Sequence, residues 1–310
     1  MPLMPHGREV FALGHSPDPD DAFMFYAIAQ NRIDLRGYRF EHRLEDIQTL
    51  NQRARRDELH ISAISIHAYA YVTHRYALLP CGASMGDGYG PIVVAKRRTS
   101  NSPSRSYSER LREQIRAAGA SMNIEAAREW LGDRVIAVPG EMTSAFLALQ
   151  LFLGKFKYFV VPFDKIFDAV KTGRADAGLI IHEGQLTYQR SGFEKIVDLG
   201  EWWKRETDLP LPLGGNVLRK DVSKAVQHDL LEIIRESIDY GLAHWDEAVR
   251  HSLAYARDMG AELAGKFIGM YVNDLTRDYG DIGRAAIRKF LGDAHDKGYI
   301  GSSIKVEFVE

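Results

Sequence analysis

Strand-like apolar runs alternate with helix-compatible segments along most of this chain, and that alternation is what most restricts its fold. Residues 9–14, 38–45, 60–65, 90–96, 135–139, 157–161, 175–181 and 213–218 read as strands. Between them, residues 22–30, 46–56, 66–76, 143–152 and 163–171 read as helices, the rhythm of a parallel α/β sheet. From Asp221 onward the pattern is mainly helical, with 306–309 a candidate terminal strand. A chain of 310 residues exceeds one comfortable core, so two domains are expected. The division predicted is 1–95 with 213–310 as one lobe and 96–212 as the other. Crossing segments near Val94 and Gly214 would form a hinge, and a cleft between lobes is a common place for a small molecule. The expected fold class is therefore α/β and two-lobed, each lobe a mostly parallel sheet flanked by helices, with a ligand cleft between them.

Forty basic against forty-two acidic residues give a formal charge of −2, which argues against a generic nucleic-acid binder. Cys81 stands alone, so no intramolecular disulfide and no cysteine-based zinc site can form, which fits a reducing compartment. The opening Met1-Pro-Leu-Met-Pro-His-Gly-Arg lacks a continuous apolar core of the secretory type, and no run is long enough to span a bilayer. The expectation is a soluble cytoplasmic protein with neither a membrane nor a nucleic-acid partner. Residues 97–108 are polar, basic and serine-rich, an expected exposed loop, followed by helical segments over 109–131.

Several segments could carry chemistry. The apolar run Gly178-Leu-Ile-Ile ends on His182 and Glu183. Carboxyl ends of strands collect ligands in open α/β sheets, and imidazole titrates near neutral pH. A capping role and a catalytic role are both open there. Ser16-Pro-Asp-Pro-Asp-Asp21 joins a strand to a helix, where proline and acidic groups suit the first turn; Asp18 is read as structural and Asp20 or Asp21 as the edge of a site. Its carboxylates lack the glycine and distal glutamate of a calcium loop, so no metal is expected. Ser65, at a strand-to-helix turn, is either an N-cap or a hydroxyl donor to a ligand carboxylate. The glycine-dense stretch 82–90, with Gly88 at its centre, matches no phosphate loop and either serves positive φ angles or lets a ligand approach the backbone. Thr143 and Ser144 begin a helix and are the best candidates for holding a carboxylate. Trp202-Trp203 and Leu209-Pro-Leu-Pro-Leu213 read as packing and hinge structure.

These stretches also carry a resemblance. Ser16-Pro-Asp-Pro-Asp-Asp-Ala-Phe-Met-Phe-Tyr26, Leu44-Glu-Asp-Ile-Gln-Thr-Leu-Asn51, Ile64-Ser-Ile-His-Ala-Tyr69 and Gly86-Asp-Gly-Tyr-Gly-Pro91 resemble the 1,4-dihydroxy-6-naphthoate synthase family of the futalosine route to menaquinone. Val138-Pro-Gly-Glu-Met-Thr-Ser-Ala145, Ala177-Gly-Leu-Ile-Ile-His-Glu183, Val197-Asp-Leu-Gly-Glu-Trp-Trp203 and Leu209-Pro-Leu-Pro-Leu-Gly214 continue the match in order. The resemblance implies a type II periplasmic-binding-protein-like fold used as a lyase. Its substrate would be cyclic dehypoxanthinyl futalosine, a small-molecule carboxylate, split into the naphthoate and dihydroxyacetone without metal or organic cofactor. It implies His182 as general base and Ser65, Thr143 and Ser144 as substrate-binding groups, with Asp21 and Gly88 beside them. A homodimer stays open as the assembly. Two departures stand out: the family often reads Ser-Pro-Cys-Pro-Asn-Asp-Thr-Phe where this chain has Asp18, Asp20 and Ala22, and the stretch 97–131 is longer than expected. The rival readings are a chorismate dehydratase of the same pathway and a non-catalytic cytoplasmic solute-binding protein; a regulator's effector domain would need a helix-turn-helix, for which no segment qualifies.

Overall fold

The computed structural model describes residues 9–97, 113–114, 123–256, 260–301 and 303–310. The loop expected at 97–108 and most of the helical stretch 109–131 lie outside these, apart from Arg97, Glu113 and Gln114 and the helix Ile124–Leu131. The chain divides into two units. One holds the described residues up to Met85 with Leu213–Arg288 and Ile304–Glu310; the other holds Gly86–Pro212 and Lys289–Ser303. Eleven strands are described: β1 (Val10–His15), β2 (Arg39–Leu44), β3 (Ile61–Ser65), β4 (Tyr76–Leu78), β5 (Ser84–Gly86), β6 (Ile92–Lys96), β7 (Val135–Val138), β8 (Lys157–Val160), β9 (Ala177–Ile180), β10 (Phe193–Asp198) and β11 (Leu211–Arg219).

In the first sheet the order is β2-β1-β3-β11-β4, with β5 on β11. β1 runs parallel to β2 and β3, whereas β11 runs antiparallel to β3 and β4. The second sheet has the order β10-β6-β9-β7-β8. There β7 is parallel to β8 and β9, and β6 is antiparallel to β9 and β10. Both sheets are therefore mixed, not mostly parallel as the alternation suggested. The cause is the long path of the chain: β6, near the start of the second unit, and β11, which leads back to the first, run against their neighbours. β6 was counted with the first lobe by the sequence division and pairs here in the second sheet.

Local sequence explains most elements. β3 reads Ile-Ser-Ala-Ile-Ser and is buried along its whole length, as small and apolar residues on both faces allow. The helix expected at 22–30 is two short ones, Pro19–Met24 and Tyr26–Ala29, broken at Phe25. Phe23, Met24, Phe25, Tyr26 and Ile28 all enter the core of the first unit, beside Ile233, Ile234 and Ile238 of the helix Lys224–Ala243. Each such side chain contributes about 1.5–3 kcal/mol when fully buried. The helix expected at 66–76 is only Ile66–Tyr69; after turns the chain becomes β4. In the second unit, the helix Ser144–Leu153 is apolar on nearly every face and is buried accordingly. The terminal strand expected at 306–309 is reduced to a single parallel bridge, Leu78 with Phe308. Among the described residues no helix is long and apolar enough to cross a membrane.

Candidate active site

In the second unit β9 delivers His182 two residues past its end, ahead of the short helix Gly184–Thr187. The imidazole is 9% exposed. Its Nδ1 accepts a hydrogen bond from the backbone N–H of Gly184 at 3.0 Å. Nε2 is buried and has no hydrogen-bond partner among the described residues. The rings of Phe163 and Phe167 stand edge-on to it, with centroids 5.7 and 5.9 Å away. A carboxylate oxygen of Glu183 lies 3.6 Å from Nδ1, longer than a hydrogen bond. Residue 184 must be small: a Cβ there would lie 2.6 Å from the Phe167 ring and 2.7 Å from Cε1 of His182. One ring nitrogen is thus tied to backbone and the other is offered, without a partner, in an apolar setting.

Also in this unit, Thr143 is the N-cap of the helix Ser144–Leu153. Its Oγ1 accepts from the N–H of Phe146 at 3.1 Å and donates to the carbonyl of Gly140 at 2.9 Å. The hydroxyl hydrogen is committed to the turn, so Thr143 builds the helix start. Ser144, buried, is the first helical residue behind it. Gly88 is exposed with φ +78°, and a Cβ there would meet nothing within 4 Å. Its neighbour Asp87 pairs with Lys204 at 3.0 Å.

In the first unit Ser65 ends β3 and occupies the N-cap position of Ile66–Tyr69, yet its side chain makes no cap bond. Asn51, wholly buried, holds it instead. The Asn51 amide donates to Ser65 Oγ at 2.9 Å, and its carbonyl accepts from the Ser65 N–H at 2.9 Å. The amide occupies a lone pair of the hydroxyl and leaves the hydroxyl hydrogen to donate. His67 is buried beside Tyr71, whose hydroxyl is 3.4 Å from Nε2. Asp21 is buried and accepts from the Ser16 N–H at 2.7 Å, closing the loop between β1 and the helix Pro19–Met24. Burial pushes its carboxyl up to about 6. Asp20 is pushed up to about 7 by burial and then by the Asp21 charge. Among the described residues no group of three or more His, Cys, Asp or Glu is arranged to hold a metal.

Sequence reasoning missed Asn51, Phe163, Phe167 and Gly184. A signal existed for Asn51. Ile47, Leu50, Asn51 and Ala54 form one stripe of the helix Ile47–Arg55, and a polar residue on such a stripe marks a buried hydrogen bond.

Comparison with known proteins gives this architecture a class. A Candida albicans gene product described as having the generic periplasmic binding protein fold superposes with a TM-score of 0.67 at 12% identity, covering 97% of both chains. At that identity the likeness is one of fold. A crystal structure of an Archaeoglobus fulgidus protein matches with a TM-score of 0.82 at 40% identity, over 95% of this chain and all of that one. A family model described as menaquinone biosynthesis matches residues 11–296. Two proteins named 1,4-dihydroxy-6-naphtoate synthase are similar over nearly the full length. The one from Thermus thermophilus is 35% identical over 97% of this chain and 100% of its own; the one from Streptomyces coelicolor is 33% identical over 94% and 95%. The chain has the periplasmic-binding-protein fold. It belongs to the menaquinone biosynthesis family.

Proposed function

We propose that this chain catalyses the 1,4-dihydroxy-6-naphthoate synthase reaction, taking cyclic dehypoxanthinyl futalosine to the naphthoate and dihydroxyacetone, with His182 as its acid–base residue. Family membership and near-full-length similarity to two synthases support the reaction. The observation that carries the residue assignment is the imidazole itself: nearly buried, flanked by phenylalanines, with Nε2 unpartnered among the described residues. Unpaired buried polar atoms cost free energy, which a substrate group would recover. The substrate is a carboxylate. Ser144 and the first amides of Ser144–Leu153 are its anchor, since helix starts favour anions and Thr143 fixes this one. Ser65 is a hydroxyl donor to substrate, its polarity set by Asn51. Asp21 shapes the loop beside the substrate, and Gly88 leaves backbone open to it.

The test is direct. Purified protein is incubated with cyclic dehypoxanthinyl futalosine and the naphthoate is sought by mass spectrometry. Product formation is expected. Binding without product would favour a solute-binding role. His182→Ala should lower turnover by about 10²-fold or more with folding intact; near-wild-type turnover would remove His182 from the chemistry.

A further inference from the structure

We infer that His182 meets the substrate as a neutral hydrogen-bond donor, its proton fixed on Nε2 by the backbone amide of Gly184. The inference rests on the reading of His182 as the residue that touches substrate, and it reverses the general-base role that the resemblance implied.

The argument starts from the 3.0 Å contact between the Gly184 N–H and Nδ1. A backbone N–H can only donate, so Nδ1 must present a lone pair. A neutral imidazole has one nitrogen of each kind; with Nδ1 accepting, Nε2 carries the hydrogen. An imidazolium would point its own Nδ1–H at the Gly184 N–H, two donors face to face. The neutral ring with Nε2–H is the form this backbone selects. Glu183 works the other way, because a carboxylate close to Nδ1 would draw a proton there. At 3.6 Å it is outside hydrogen-bond reach, while the amide is inside it. The missing side chain at residue 184 allows the ring to come this close to the backbone, and Phe163 and Phe167 flank the ring.

Chemistry follows from the tautomer. A ring with Nε2–H and Nδ1 already accepting has no lone pair to offer a substrate C–H or O–H. It offers one N–H, buried, in an apolar setting where such a donor is worth most. It suits an oxygen that gains negative charge as a neighbouring bond breaks, a role neutral imidazole can fill without transferring its proton. The group that removes a substrate proton is then a different one.

Two measurements decide this. In the full-length ¹⁵N-labelled protein at neutral pH, long-range ¹H–¹⁵N correlation spectra report which ring nitrogen is protonated. The His182 signals are assigned through their proximity to Phe163 and Phe167. A protonated ε nitrogen with a bare δ nitrogen is expected; a protonated δ nitrogen in the neutral ring overturns the inference. This measurement needs no substrate, so it stands or falls apart from the synthase assignment. The second compares turnover of His182→Gln and His182→Ala, with thermal melts of both. Glutamine keeps an N–H near Nε2 but cannot act as a base. A kcat for His182→Gln at least about tenfold above His182→Ala is expected for a donor, and equal losses in two folded variants overturn it.

Discussion

At the scale of single residues, the hydroxyl of Ser65 shows how a side chain acquires a direction. Serine can donate or accept; the Asn51 amide removes that choice by donating to its oxygen while accepting from its N–H. Asn51→Leu keeps the volume but leaves Ser65 N–H and Oγ without these partners. The variant should lose about 1–3 kcal/mol of stability, read from the urea midpoint, and an unchanged midpoint would show that the amide holds nothing in place. How much of the site was legible follows the same logic. His182 and Ser65 stood out because they end apolar strand runs, and Thr143 because it precedes an apolar helical stretch. The partners did not stand out. Asn51 is fourteen residues from Ser65 in the chain, and the Gly184 bond to His182 depends on a ring orientation that no spacing encodes. Sequence pattern located chemical groups; contacts distant in sequence, or set by rotamer, gave them their polarity.

Secondary-structure elements repeat the lesson with backbone in place of side chains. The helix Leu199–Thr207 begins at Asp198, whose Oδ1 accepts from the N–H groups of Gly200 and Glu201 at 3.0 and 3.1 Å. Gly200 packs against the backbone of Tyr89 and Gly90, where a Cβ would overlap the Tyr89 carbonyl. Alanine is the better helix former by roughly 1 kcal/mol, yet the contact is with main chain, which cannot rotate away. Gly200→Ala should therefore be destabilising by about 1–3 kcal/mol; a rise in melting temperature would mean that the helix can shift at little cost. Trp203 on the same helix donates its indole N–H to the Pro210 carbonyl at 3.1 Å and is buried, consistent with its reading as packing. The alternation of strands and helices was legible because period-2 and period-3.6 burial is written locally. Strand direction was not, since parallel and antiparallel neighbours bury the same alternate faces. β4 was hidden in a stretch compatible with helix, and its partner β11 lies well over a hundred residues away in the chain. Those choices were made by tertiary pairing.

Across the whole molecule, buried ionisable groups pull stability in opposite directions with pH. His15, at the end of β1, hydrogen-bonds His42 at 2.9 Å, and burial, then His42, lowers its pKa from 6.5 to about 3. Between those values the unfolded chain binds a proton that the folded one refuses, so this contribution is complete above the ordinary value and is lost as pH falls through it. Asp20 behaves in reverse. With its carboxyl raised from 3.8 to about 7, the folded chain holds a proton that the unfolded one releases, so stability falls as pH rises across that window. The two groups lie close in sequence, on either side of Pro17 and Pro19, and each can be isolated by a neutral isostere. Relative to Asp20→Asn, the wild-type protein should lose stability as the pH is raised from about 4 to 7. Relative to His15→Asn, it should lose stability as the pH is lowered from about 6.5 to 4. Melting temperatures recorded across pH for the three proteins give two difference curves, expected to slope oppositely by about 2–4 °C for each kcal/mol involved. Slopes of the same sign would mean that at least one of these groups exchanges protons with solvent as freely in the folded state as in the unfolded one.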